Sequence, residues 1–596
     1  MNLEQEITPY IQQAFSELYQ HSLELQEIKL QPTRKDFEGT YTFVTFPYSR
    51  ISRKSPDQTA TEIGEFLKEK SALISDFNVV KGFLNMVIAE EAWLRVFADL
   101  ARDSHWGQQP ANGKKVVVEY SSPNTNKPLH LGHLRNNFLG FSVSEILKAN
   151  GYTVAMVNLV NDRGIHICKS MLAYQKWGNG ETPESAGMKG DHLIGKYYVI
   201  FDKEYKKQIE ALAEEGMDKE KAKAEAPLIK EAQQMLQQWE AGDEETVALW
   251  QKMNEWVYAG FDETYRKIGV RFDKMYKESN TYLLGKDIVE EGLQKGVFFK
   301  KEDGSVWADL SAEGLDEKLV LRGDGTSVYI TQDMGTADLK YQDFGMDKSI
   351  VVVGNEQDYH FKVLFSLLSK LDRPYAKGNY HLSYGMVDLP SGKMKSREGT
   401  VVDADDLVQE MQNTAKEYTQ ELGKLEDIES QEAEVLYNII GMGALKYYLL
   451  KVDPKKRMLF NPQESVDFQG HTGPFIQYTF ARISSLLRRA DQLEIPYQDV
   501  DYSAIKELQA SEREVIFQLS QWPDKLRLAG EEYAPSVVAQ YVYDLAKEYN
   551  RFYTDVSVFN AEDELRRNFR IALSSAVART IRMGMGLLGI EVPERM

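Results

Sequence analysis

The residues best able to do chemistry stand in one run, "VVVEYSSPNTNKPLHLGHLRNNFLG", from Val116 to Gly140. His130 and His133 are three apart, so on a helix they share a face, and each can donate a hydrogen bond to a phosphate oxygen. Gly132 has no side chain and lets a ligand ring approach the backbone, while Lys127 adds a positive charge just upstream. Taken alone, the histidine pair also suits capping or surface decoration. A zinc site would need a third or fourth ligand, and no nearby Cys or carboxylate has a suitable spacing. A second run, "SGKMKSREGTVV" from Ser391 to Val402, crowds Lys393, Lys395 and Arg397 into a Gly-flanked loop. Such a loop can close over a triphosphate and stabilise charge developing on a pyrophosphate leaving group, or it is a solvated charged loop.

These residues need elements to hold them. "KVVVEY" is an apolar, β-branched run and "HLRNNFLGFSVSEILKANG" has helical texture closed by Gly151, so the turn between them, fixed by Pro123, lies at a strand's carboxyl end. Ligands bind there in open parallel sheets, where helix N-termini present free N–H groups to anions. Further strand and helix runs ("TVAMVNLV", "SIVVVGN", "YHFKVLFSLLSKL") predict a parallel sheet covered on both faces. Residues 1–110 read as a small α+β domain, 111–425 as the sheet domain with a polar helical insertion at about 178–258, and 426–596 as a helical domain.

At 596 residues the chain exceeds one core, and about 150 residues per domain allows two to four. Its 42% apolar and 27% charged residues place it among folded globular chains rather than disordered ones. No apolar run reaches the roughly 18 residues of a membrane span, the start lacks the order of a signal peptide, and the single cysteine, Cys168, fits a reducing compartment. A cytoplasmic location is therefore expected. A net charge of −20 opposes a broad nucleic-acid face, so any such partner must meet local basic patches.

The two runs together resemble the "HIGH" and "KMSKS" signatures of class I aminoacyl-tRNA synthetases, with "HLGH" for the first and "KMKSR" for the second. "SSPNTNKPLHLGHLRNN" resembles the extended form found in the arginyl-tRNA synthetase family, and "YITQDMGTA", "EQDYHF", "GPFIQYTFARI" and "LLGIEVPERM" carry the likeness to the C-terminus. The resemblance implies a tRNA-contacting N-terminal domain, a Rossmann-like catalytic domain and a helical anticodon-binding domain. It also implies arginine activation by ATP, with Mg2+ accompanying the ATP and no tightly bound metal, followed by transfer to tRNA(Arg). A monomer is expected.

Carried over by position, the resemblance implies that His130, His133, Lys127, Gly132 and Pro123 serve ATP, and that Ser122 and Asn124 hold the arginine backbone groups. Glu119 would meet the amino group or brace the loop. Tyr329 and Asp333, with Glu278, would face the guanidinium, a planar five-donor cation that calls for fixed carboxylates and an aromatic wall, and Gln357 would lie at the amino acid. Asp162 would act near the substrate or cap a turn. In the second signature Lys393 and Met394 fit, whereas Lys395 replaces the usual serine, Ser396 the second lysine, and Arg397 takes the last place. Asn85, Gln477, Tyr478 and Arg482 are the candidate tRNA contacts, with Arg488 and Arg489 at helical spacing beyond them. A catalytically silent relative and a smaller nucleotidyltransferase are disfavoured by the intact signatures and the full-length likeness.

Overall fold

Largely buried runs such as "YTFV" and "FLNMVI" pair into an antiparallel N-terminal sheet of β1 (Leu30–Pro32), β2 (Tyr41–Val44), β3 (Ile74–Val80) and β4 (Phe83–Ile88), ordered β1-β2-β4-β3. The helix Pro56–Lys70, opened by a Ser55 capping box, packs on β3 and β4, and the helix Leu3–Tyr19 packs on it in turn. The computed structural model describes residues 3–34, 36–388, 402–421, 430–498 and 500–596.

The expected parallel sheet is present, built from β5 (Lys115–Glu119), β6 (Thr153–Val160), β7 (Lys274–Lys277) and, further along the chain, two more strands. Between these, β8 (Phe298–Lys300), β9 (Val306–Ala308) and β10 (Lys318–Leu321) form a small antiparallel sheet that sequence reading does not anticipate. Then β11 (Lys348–Gly354) and β12 (Asn379–Tyr384) complete the order β12-β11-β5-β6-β7, every pair parallel. Val116, Val117 and Val118 on β5 and Ile350 and Val352 on β11 are at most 1% exposed, as the unbroken apolar runs require of a sheet covered on both sides. The chain winds outward from β5 through β6 and β7, then returns to build β11 and β12 on β5's other edge. Strand order reverses between β5 and β11, the place beyond whose carboxyl ends open parallel sheets bind ligands.

Between β6 and β7 the chain is helical: Ile165–Trp177, Gly190–Glu214, Pro227–Glu240 and a return helix, Glu244–Ile268, are its main pieces. The return helix runs past the expected end near 258, because Phe261 and Tyr265 are buried against the sheet domain. The C-terminal region is helical, with Ser430–Leu450, Gly473–Gln492, Pro535–Asp555 and Glu564–Leu587 its longest helices. A two-residue bridge, β13 (Val387–Asp388) against β14 (Met458–Leu459), ties it to the sheet domain.

Candidate active site

The turn after β5 leaves the strand ladder for two residues. Tyr120 N–H still donates to Val157, and pairing with the β6 side resumes where Asn161 N–H donates to the Pro123 carbonyl. Between them Ser121 and Ser122 take φ of +77° and +45°, left-handed values that non-glycine residues rarely adopt. The Ser121 N–H donates to Asn136 Oδ1 at 2.6 Å and the Ser122 N–H to Asn158 Oδ1 at 3.0 Å. Pro123 is buried and Asn124 is exposed. Glu119, at the end of β5, is buried in an ion pair with Lys340 at 2.7 Å. Of its two expected roles, this geometry supplies the brace, fixing the strand end to the helix Tyr329–Phe344.

His130 is the N-cap of the signature helix Leu131–Ala149. Its Nδ1 accepts the Gly132 N–H at 3.1 Å, and His133 Nδ1 accepts the His130 N–H at 3.1 Å, a capping box made of two imidazoles. The rings lie 3.9 Å apart between centroids. Burial, with Lys127 nearby, pushes His130 down to about 4, and burial with His130 and Lys127 pushes His133 well below the usual imidazole range. Both rings are therefore neutral at pH 7. With Nδ1 accepting, each proton is on Nε2, which is left to donate to a ligand oxygen. Capping thus uses one nitrogen of each ring and leaves the other available to a ligand. Gly132 has an internal reason too: a Cβ there would lie 2.9 Å from His130 Cε1. Burial lowers the Lys127 ammonium.

Lys393, Met394, Lys395, Ser396 and Arg397 lie outside the described residues, but both flanks of their segment are fixed to the histidine helix. Upstream, buried Arg135 on that helix donates to the carbonyls of Gly385 at 2.6 Å, Lys456 at 3.0 Å, Pro454 at 3.2 Å and Asp453 at 3.3 Å. Downstream, Leu131 N–H donates to Val402 and Ala404 N–H to Leu129. Asp403 caps the next helix through the Asp405 N–H. Asp191, His192 and Asp405 come close enough to hold a cation, but Lys189 Nζ already lies 2.5 Å from Asp405 and 3.4 Å from Asp191.

A second cluster of polar groups gathers around Asp333 and Asp162. Tyr329 and Asp333 open the helix Tyr329–Phe344 one turn apart, and Tyr329 is 76% exposed. Asp333 Oδ2 pairs with His360 Nε2 at 2.6 Å. Fully buried Asp162 accepts from Ser279 N–H at 2.8 Å, Ser279 Oγ at 2.7 Å and Tyr258 OH at 2.7 Å, so its carboxylate braces the helix Glu278–Thr281 and the return helix. Next to Asp162 and Asp333, the Glu278 carboxyl is pushed up to about 7, chiefly by burial and then by those two carboxylates, with Arg163 opposing. Arg163 is itself paired with Glu240 at 2.7 Å and stacked on Tyr282. Gln357 is exposed on the turn after β11.

Two expected tRNA contacts are corrected. Asn85 is 2% exposed, accepting from Thr42 Oγ1 at 2.6 Å and donating to Asn78 at 2.9 Å, so it braces the N-terminal sheet from within. Gln477 is fully buried and donates to the carbonyls of Ile439 and Glu591. Tyr478 and Arg482 are partly exposed, and the Arg482 guanidinium lies 5.1 Å from the Tyr478 ring and 5.4 Å from that of exposed Tyr553.

Sequence reading missed His360, Lys340, Arg163 and Tyr258. The first of these lay in the quoted "EQDYHF", and the others pair with residues 77 to 221 positions away, beyond the reach of local spacing.

Three family models match the chain: the arginyl tRNA synthetase N-terminal domain at residues 5–88, the catalytic domain of tRNA synthetases class I (R) at 95–461, and the DALR anticodon binding domain at 476–596. The chain is 59% identical over 596 residues to an arginine–tRNA ligase of Amoebophilus asiaticus and 58% identical over 598 residues to one of Bacteroides fragilis, covering all of each. Its structure superposes on the Thermus thermophilus arginyl-tRNA synthetase with a TM-score of 0.79 at 25% identity, each chain covered in full. Signatures, strand order and full-length likeness agree, and the chain belongs to the class I arginyl-tRNA synthetases.

Proposed function

We propose that the chain carries out arginine–tRNA ligation with the histidine pair for ATP and the carboxylate cluster for the arginine guanidinium. The observation that carries this division is Glu278. Its half-buried carboxyl stands beside Asp162 and Asp333 with no hydrogen bond or ion pair to it among the described residues, and is pushed up to about 7. A guanidinium placed there regains the ionised form and gains charge-assisted hydrogen bonds. Tyr329 walls this end, and Gln357, Ser122 and Asn124 lie toward the amino acid's backbone groups. Neutral His130 and His133, with Lys127, receive the phosphates through Nε2–H. Mg2+ enters as the counter-ion of ATP.

In this arrangement the arginine carboxylate attacks the α-phosphorus, the bond to pyrophosphate breaks, and a terminal tRNA hydroxyl then displaces AMP from the adenylate. Lys393 and Arg397 act on the departing pyrophosphate. Domain boundaries near 110 and 425, tRNA contact through Tyr478 and Arg482, a monomer and a cytoplasmic location belong to the same proposal.

The division is tested by kinetics of Glu278→Gln and Asp333→Ala. Each is expected to raise KM for arginine by about tenfold or more, with KM for ATP changed less than about twofold, the loss of one charge-assisted contact. Equal effects on both substrates would overturn it. Lys393→Ala and Arg397→Ala should instead lower kcat far more than they raise KM for arginine; unchanged turnover in both removes that role.

A further inference from the structure

We propose that Asn136, Asn158 and Tyr265 are positioning residues that hold Ser121 and Ser122 in left-handed backbone and so aim the turn that carries Ser122 and Asn124. This inference rests on the reading of that turn as the arginine-binding segment.

Two successive non-glycine residues with positive φ persist only where their surroundings over-determine them. Here the surroundings are three buried polar side chains. Because the turn leaves the β5 ladder, the N–H groups of Ser121 and Ser122 lose strand partners, and the amide oxygens of Asn136 and Asn158 accept them instead. Asn136, on the signature helix, is 5% exposed; its Nδ2 donates to the Val352 carbonyl on β11 at 2.7 Å and to Tyr384 OH at 3.3 Å. It thereby ties the turn to the neighbouring strand at the point of order reversal. Asn158, on β6, is fully buried, and its Nδ2 donates to Tyr265 OH at 3.2 Å. Tyr265, on the return helix, shares a 2.7 Å hydrogen bond with Ser121 Oγ, which also accepts from Asn137 at 3.2 Å. Ser121 therefore has a use for its hydroxyl that glycine could not serve, although glycine would adopt its backbone angles freely. Each amide is committed at both ends, so neither can turn toward a ligand; they act through the turn.

Glycine separates positioning from simple structural damage. If the asparagines hold a conformation that serine resists, their removal matters less where glycine occupies the turn. The test is a double-mutant cycle on the full-length chain with its tRNA, pairing Asn158→Ala with Ser122→Gly and Asn136→Ala with Ser121→Gly, and reading kcat/KM for arginine. Each Asn→Ala is expected to cost at least about tenfold with serine in place and less than about threefold in the glycine background. Tyr265→Phe, which keeps the ring packing, should lose about threefold with serine present and nothing measurable in the Ser121→Gly background. Additive losses in both cycles would overturn the proposal. Asn124→Ala separates it from the underlying reading: an unchanged KM for arginine in that variant discards the turn as an arginine site, whatever the cycles show.

Discussion

His130 and His133 commit Nδ1 to the helix's own N–H groups and have no Nε2 partner among the described residues, so the phosphate contact proposed for them needs the neutral ring. Because burial holds His130 at about 4, the pyrophosphate-forming rate should show no imidazole titration near 6.5. Stability carries the matching sign. The unfolded chain takes up protons near 6.5 and the folded one near 4, so stability contributed by this ring is present above 6.5 and is lost as pH falls toward 4. Thermal melts of His130→Gln should be flatter across that window than those of the parent. Gly132→Ala drives a methyl into the His130 ring and should lower kcat by about tenfold or more with little change in KM for arginine.

Glu278 titrates the other way. Its folded value of about 7 lies above the unfolded 4.5, so its stabilising contribution is complete below 4.5 and is lost as pH rises through 7. A bound guanidinium reverses that loss, and the rise in melting temperature on adding arginine should be larger at pH 8 than at pH 6, with the difference absent in Glu278→Gln. The histidine pair at a helix mouth was legible because its spacing and the preceding strand are local, while the arginine roles of Glu278 and Asp333 are proposals from short motifs. Lys340, 221 residues from Glu119, and Tyr258, 96 from Asp162, were not, because their partners meet only in the folded sheet.

At the scale of elements, the strand and helix alternation was legible because apolar β-branched runs at β5 and β11 have no other use than a sheet buried on both faces. The three-residue strands β8 and β9 were not, since so short a run leaves no period to read. The insertion reads as a solvated appendage in sequence, yet one face of its return helix packs on the turns after β5 and β6: Trp250 and Asn254 donate to the Asp162 carbonyl, Tyr258 to its carboxylate, and Tyr265 reaches the Ser121 turn. Tyr258→Phe should raise KM for arginine severalfold while leaving KM for ATP unchanged. Arg135 is the corresponding strut of the signature helix. Its replacement by Met leaves carbonyls of four residues without their donor and should cost about 3 kcal/mol in denaturant melts.

At the scale of the whole molecule, the N-terminal and C-terminal regions meet directly: Trp106 Nε1 donates to Leu519, Arg579 to Leu100 and Ala101, and Arg513 pairs with Glu90. With a net charge of −20, tRNA has few places to meet such a surface, and the Arg482, Tyr478 and Tyr553 group is the one proposed for it. Arg482→Ala should weaken tRNA binding, and affinity in the parent should fall steeply between low and high salt. The most direct measurement is ATP–pyrophosphate exchange with each amino acid in turn, in the presence and absence of tRNA(Arg). Exchange with arginine alone, and only when the tRNA is present, is the predicted result. Exchange supported by another amino acid, or none with arginine and tRNA together, would contradict the account.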